Sequence, residues 1–205
     1  VGSYIAERLQ GKGNLVEVAG LKASTSALER HRGLMDALRE TPDIKLIASA
    51  DAAWLRVPAE KAFGDILSKF PDIDMVFAHN DRMAAGAYDA AVKQHREHDM
   101  LFVGIDALAG EGYGVEQVAN RQLDATFIYP TGGDKVMEVA MNILQGRDYT
   151  RETVLSTALV NKANALIMQM QTAHIGQLDN KIVGLDKQLD TYLMPYSSQR
   201  MLLSA

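Results

Sequence analysis

One stretch, Pro71 to Asp106, restricts this chain to a small set of folds. It reads PDIDMVFAHNDRMAAGAYDAAV, then a polar joint, then DMLFVGID. That is an apolar strand (Asp74 to Ala78) ending in His79-Asn80-Asp81, a helix of small residues, and a second apolar strand ending in Gly104-Ile105-Asp106. Strands joined through a helix lie parallel, because parallel neighbours need a crossover. Both polar ends therefore reach the carboxyl edge of one sheet, where helix N-termini and loop side chains converge and small molecules bind.

The alternation continues on either side. Helix is expected from Val1 and is closed by Gly11 and Gly13; then come a strand at Leu15 to Ala19, a helix over Ser26 to Glu40, a strand at Ile44 to Ala48, and a helix from Pro58 to about Phe70. Beyond Asp106 follow a helix near Gly112 to Asn120, a strand at Ala125 to Ile128, a helix from about Gly133 to Leu144 closed by Gly146, and a last strand near Thr153 to Ala158. The expected fold is α/β, an open, mostly parallel sheet with helices on both faces. Past Ala163 the period changes. Ile175, Leu178, Ile182, Leu185, Leu189 and Tyr192 recur at three and four, the seam of a heptad repeat, with Asp179, Lys181, Asp186 and Lys187 on the outer faces and Pro195 as a break. Such a helix packs either on its own domain or on a second copy.

Composition excludes several partners. With 21 Lys and Arg against 26 Asp and Glu the formal charge is −5, and no basic run is dense enough to grip phosphates, so no nucleic acid is expected. There is no cysteine, hence no disulfide and no thiolate metal site. The N-terminus lacks the pattern of a secretion signal, and no apolar run approaches the ~20 residues of a membrane span.

Five residues fall at or just past strand ends, or on the helix turns that follow: Arg30, Trp54, Asn80, Asp106 and Tyr129. A planar cation, a flat aromatic, an amide, a carboxylate and a phenol suit sugars, whose hydroxyls both donate and accept and whose C–H faces need an apolar cover. Each has a plainer explanation. Trp54 could cap the core edge, Arg30 sits among charges on a helix, Asn80 and Asp81 are natural N-caps, and Tyr129 before Pro130 marks a turn. Asp106 has no capping role, and an acid at the end of a buried strand is costly unless employed.

Catalytic signals are weak. Gly11-Lys12-Gly13 precedes a strand, whereas a phosphate loop follows one. His95 and His98 lie on a charged segment without a third ligand, so no metal site is expected. Ser24-Thr25-Ser26 is accounted for by helix capping. His79 could serve as a base but has no evident nucleophile or paired acid. No cofactor is implied, and the chain reads as a binder.

The series GKGNLVEVAG, STSALERHRGLMDAL, PDIDMVFAHNDRMAAGAYDAA, LFVGIDA and QLDATFIYP resembles the periplasmic ribose- and galactose-type sugar-binding proteins and the effector domains of lactose-repressor-type regulators, over about residues 1–160. In that family two α/β lobes close on a sugar. Motif matching carries the family's helix arginine to Arg30, its loop aromatic to Trp54, its F-A-x-N-D asparagine to Asn80 and its V-G-x-D aspartate to Asp106, while Tyr129 replaces a glutamine often found there. The resemblance starts at the second lobe, so the N-terminal lobe is a missing partner. It implies a C-terminal lobe over residues 1–130, a helix over 131–150 that would pack on the missing lobe, a returning strand over 151–162, and a signalling or dimerisation helix over 163–205.

The pattern HIGQLDNKIVGLDKQLDTYL, then PYSSQRMLL, resembles the sensor regions of hybrid two-component systems of Bacteroides-type bacteria. The implied function is sugar sensing in the periplasm as the input domain of a sensor histidine kinase, homodimeric through the C-terminal helix. Any membrane attachment would then run through segments outside this chain. The soluble sugar-binding component of an ABC importer is the alternative, and a small-molecule enzyme on the same fold is a third reading. A lactose-repressor-type regulator is disfavoured by the long C-terminal helix.

Overall fold

The computed structural model describes residues 1–173 and, beyond them, residues 175, 177, 179, 181, 183, 184 and 187. Helix α1 (Gly2–Arg8) leads into β1 (Gly13–Ala19), followed by α2 (Thr25–Arg39), β2 (Ile44–Asp51), α3 (Arg56–Leu67), β3 (Met75–Ala78), α4 (Asp81–Lys93) and β4 (Leu101–Val103). The strands form one parallel sheet in the order β2-β1-β3-β4. The chain thus steps outward from β1 to β2 and then crosses back to β3. The reversal leaves a crevice beyond the carboxyl ends of β1 and β3, the place where ligands bind in open α/β sheets.

Side chains alternate across the strands and divide the core in two. Val16, Val18, Val76, Ala78 and Phe102 pack with Phe63 of α3 and Met83 and Ala87 of α4. On the other face Leu15, Met75, Phe77 and Val103 meet Ile5 of α1 and Leu34 and Leu38 of α2. Phe63, Phe77 and Phe102 are fully buried, each worth about 1.5–3 kcal/mol of apolar transfer. The small residues of α4 have a packing reason: a Cβ on Gly86 would fall on the Arg56 carbonyl, so α3 and α4 approach at backbone distance.

Beyond β4 lie α5 (Gly114–Ala119), β5 (Thr126–Phe127), α6 (Gly133–Leu144) and β6 (Leu159–Val160). Isolated parallel bridges join Val103 to Ala125 and Asp106 to Ile128. β6 pairs antiparallel with β5, Thr126 opposite Val160 and Phe127 opposite Leu159. This corrects the expected last strand: residues 153–158 are not strand, Val154 is 97% exposed, and pairing begins only at Leu159. Other boundaries shift by a few residues, among them α3, which runs Arg56–Leu67 rather than from Pro58 to about Phe70. β4 stops at Val103, with Asp106 making a lone bridge, and α2 starts at Thr25 because Ser24 Oγ accepts the Ala27 N–H at 3.4 Å as its N-cap.

Helix α6 has no buried residue, and Val136, Met137, Met141, Ile143 and Leu144 are all exposed. A further helix begins at residue 162; the described residues beyond 173 are also helical, with Ile175 and Val183 exposed. Of the expected heptad seam, Leu178, Ile182, Leu185, Leu189 and Tyr192 lie outside the described residues, as do Asp186 and Pro195. Among the described residues no helix is long and apolar enough to cross a membrane.

Candidate functional site

The five candidate residues converge at the crevice. Arg30, in the second turn of α2, is its centre. Its Nη1 donates to the His79 carbonyl at 2.7 Å, and its Nη2 lies 3.8 Å from Asp106 Oδ1. The guanidinium carbon is 5.2 Å from the Trp54 ring centroid and 4.9 Å from that of Tyr129, so the cation lies against two aromatic rings. The Arg30 side chain is only 14% exposed, unlike the solvated helix arginine that its charged neighbours suggest. Burial lowers its pKa, against the opposing influence of Asp106, Tyr129 and Asp81.

Trp54 sits in a turn built by Asp51, whose Oδ1 accepts the Ala53 N–H at 2.9 Å. Ala53 and Trp54 both have positive φ, 50° and 68°, a conformation that residues with side chains adopt at a cost. The indole lies against Gly20 at the end of β1. Asn80 is the N-cap of α4, its Oδ1 accepting the Met83 N–H at 2.9 Å, while its Nδ2 points to the Trp54 carbonyl at 3.4 Å. The capping role expected of Asn80 is therefore present, together with a link to the aromatic loop. Asp106 is 27% exposed beside Arg30, and burial raises its pKa while the guanidinium lowers it. Tyr129 is 55% exposed, with its ring turned to Arg30.

An open groove of about 470 Å³ adjoins this set, lined among others by Val1, Arg30, Ile105, Phe127, Tyr129 and Leu155. A second groove of about 480 Å³, between α6 and residues 150–155, shares Thr153 and Leu155 with the first.

Beneath the site is a polar network that the strand pattern alone does not expose. Glu17, in the middle of β1, is fully buried. It accepts from His79 Nε2 at 2.9 Å, from Ser49 Oγ at 2.6 Å and from His31 Nδ1 at 2.9 and 3.0 Å. Burial alone would raise its pKa, but the bonds from His79, Ser49 and His31 outweigh it and hold the carboxyl down to about 2. His79 Nδ1 accepts the Gly20 N–H at 3.2 Å, which places the ring proton on Nε2. Both ring nitrogens are occupied, so His79 is not a free base. The signal for Glu17 was an acid flanked by valines in NLVEVAG. A charge inside an apolar strand needs partners, and two imidazoles and a hydroxyl supply them.

Asp81 is the second buried acid, 4% exposed. Its Oδ1 accepts from Thr126 Oγ at 2.6 Å and its Oδ2 from the Ala107 N–H at 2.9 Å. Burial, reinforced by Asp106, pushes its carboxyl up to about 7 against the pull of those two bonds and of Arg30. Among the described residues no cluster of His, Asp or Glu is arranged to hold a metal, and His98 is a surface group beside Glu97.

The open edge of the sheet thus presents a cation lying against two aromatic rings, with a carboxylate and an amide nearby, groups that can hydrogen-bond a small polar molecule. A model of the periplasmic binding protein domain matches residues 1–148, and the chain belongs to that family. The family is one of ligand binders, which sets the enzymatic reading aside. The chain is 29% identical over 168 residues to a D-apiose import binding protein of Paraburkholderia graminis, covering 80% of this chain and 53% of the relative. It is 31% identical over 167 residues to a xylitol-binding protein of Mycolicibacterium smegmatis, covering 78% and 46%. Among solved structures it resembles the fructose-binding periplasmic domain of hybrid two-component system BT1754, with TM-score 0.82 and 56% identity over 91% of this chain and 62% of that one. The chain thus spans about half the length of the curated relatives it matches.

Proposed function

We propose that this chain is the C-terminal part of a periplasmic sugar-binding domain that serves as the input of a hybrid two-component sensor. Arg30, Trp54, Asn80, Asp106 and Tyr129 form one wall of its sugar cleft. The observation that carries the sugar reading is the Arg30–Asp106 pair, with the guanidinium against the Trp54 and Tyr129 rings. Sugar hydroxyls can donate to the carboxylate and accept from the guanidinium while a ring covers a C–H face. The sensor reading is supported by the 56% identity to the fructose-binding BT1754 domain, which also makes fructose the first ligand to try.

The other wall belongs to a preceding lobe, and α6 is an element of that lobe. The unburied apolar face of α6 and the open groove beside Arg30 support this assignment. A ligand bridging the walls would stabilise a closed form through its differential affinity for closed and open states. The helix beginning at residue 162 would carry that change, paired with a second copy, toward a membrane segment outside this chain.

A soluble importer component is the second reading, favoured by the import binding protein among the relatives. Calorimetric titration of the protein carrying both lobes with D-fructose tests the sugar reading; saturable binding supports it, and silence toward D-fructose, D-ribose and D-apiose rejects it. Sequence beyond residue 205 separates the two roles. An apolar run of about 20 residues supports the sensor, and a stop codon supports the importer.

A further inference from the structure

We propose that Asp81 is the positioning residue of this site, holding the ligand carboxylate of Asp106 in place by clamping the backbone on both sides of it. The ligand identity rests on the reading above; the clamp does not. Asp106 and Ala107 have φ of 123° and 52°, conformations that persist in residues with side chains only where the surroundings over-determine them. Asp81 supplies that determination from both directions. Its N–H donates to the Ile105 carbonyl at 2.9 Å, and its Oδ2 accepts the Ala107 N–H at 2.9 Å, so one residue at the start of α4 grips the chain at 105 and at 107.

The carboxylate is itself fixed. Thr126 Oγ donates to Oδ1 at 2.6 Å, and Gly104 and Gly114 leave the space it fills, since a Cβ at either position would fall on it. Two further bonds steady the same turn from β5: Asp106 N–H to the Phe127 carbonyl at 2.9 Å, and Tyr129 N–H to the Asp106 carbonyl at 3.4 Å. Asp81 is buried behind Asp106 and acts through it.

The clamp survives a change of protonation. A neutral Asp81 can donate from Oδ1 to the Thr126 hydroxyl while Oδ2 still accepts from Ala107. What changes is charge. The charged groups acting on Asp81 are Asp106 and, from α2, Arg30; α5 and β5 present only Gly114 and the Thr126 hydroxyl. With its carboxyl pushed up to about 7, Asp81 exists in both forms near neutrality. A sugar filling the crevice removes water that screens the two acids from each other, so binding favours neutral Asp81 and affinity falls as pH rises through 7.

The test is calorimetry with D-fructose on the two-lobe protein at pH 6 and pH 8, with wild type, Asp81→Asn and Asp81→Ala. Wild type should weaken by about three- to tenfold from pH 6 to 8, ten being the factor for one pKa unit. Asp81→Asn, which keeps an acceptor for Ala107 but cannot ionise, should bind within about threefold of wild type at pH 6 and show no pH dependence. Asp81→Ala should lose at least about tenfold at both pH values, because it leaves the buried Ala107 N–H unpaired in either case. Wild-type affinity in Asp81→Ala, or an equal loss in Asp81→Asn and Asp81→Ala, overturns the proposal.

The Ala107 amide resonance reads the clamp without sugar. It should shift with a midpoint near pH 7 in wild type and stay fixed in Asp81→Asn. An Ala107 amide whose exchange protection is the same in Asp81→Ala as in wild type overturns the clamp, an amide indifferent to pH between 6 and 8 in wild type overturns the charge effect, and failure of D-fructose to bind rejects only the ligand reading.

Discussion

Replacing Glu17 by Gln tests the scaffold beneath the site. The carboxylate receives three side-chain donors, from His79, Ser49 and His31. The amide offers one acceptor oxygen and turns an NH2 toward donors. Ser49 can rotate to accept and His31 can turn to solvent, but His79 cannot exchange its proton because Gly20 N–H occupies Nδ1. Charge-assisted bonds of this kind contribute about 1.5–3 kcal/mol each, so a loss of about 3 kcal/mol at pH 7 is expected. Linkage gives a similar figure. Lowering the carboxyl from 4.5 to about 2 on folding corresponds to about 3 kcal/mol.

The sign follows from the depressed folded-state value. The stabilisation is fully present above pH ~4.5 and disappears as pH falls through about 2, with roughly half remaining at pH 3. Urea denaturation of wild type and Glu17→Gln at pH 7 and pH 3 measures both numbers. The gap should narrow by about half at pH 3. An equal gap at the two pH values would assign the loss to packing rather than to the ionised carboxylate, and no gap at pH 7 would refute the network's role altogether.

Asp106→Ala and Trp54→Ala in the two-lobe protein should each weaken D-fructose binding by more than about tenfold by calorimetry; unchanged affinity removes the residue from the site. Arg30→Lys should cost a similar factor, because an ammonium cannot reach the His79 carbonyl and Asp106 together while lying against two rings. Asp81→Asn should stabilise the fold above pH 7 and leave it nearly unchanged at pH 4. The folded-state carboxyl is raised from 3.8 to about 7, so ionising it costs up to about 4 kcal/mol of stability as pH rises through that window. Thermal unfolding at the two pH values checks the difference.

Much of this architecture was legible because β3 and β4 are apolar on both faces, β1 is so apart from Glu17, and each is followed by a helix, a pattern that a covered parallel sheet satisfies. The C-terminal part was harder to place. Residues 153–158 have good β propensity, yet the residues that pair are Leu159 and Val160, because pairing depends on a partner edge and propensity cannot select it. Strand-end position singled out Trp54, Asn80, Asp106 and Tyr129, but the stacking of Arg30 on two rings depends on how α2 crosses the sheet. The Asp81 clamp was also hidden, since Ala107 and Thr126 meet that side chain only through packing of the loops after β4.

An experimental structure of the two-lobe protein with D-fructose bound bears most directly on the account. The sugar should lie with hydroxyls on Arg30 and Asp106 and one face on the Trp54 or Tyr129 ring. A sugar seated elsewhere, with those side chains in contact only with water, would contradict it.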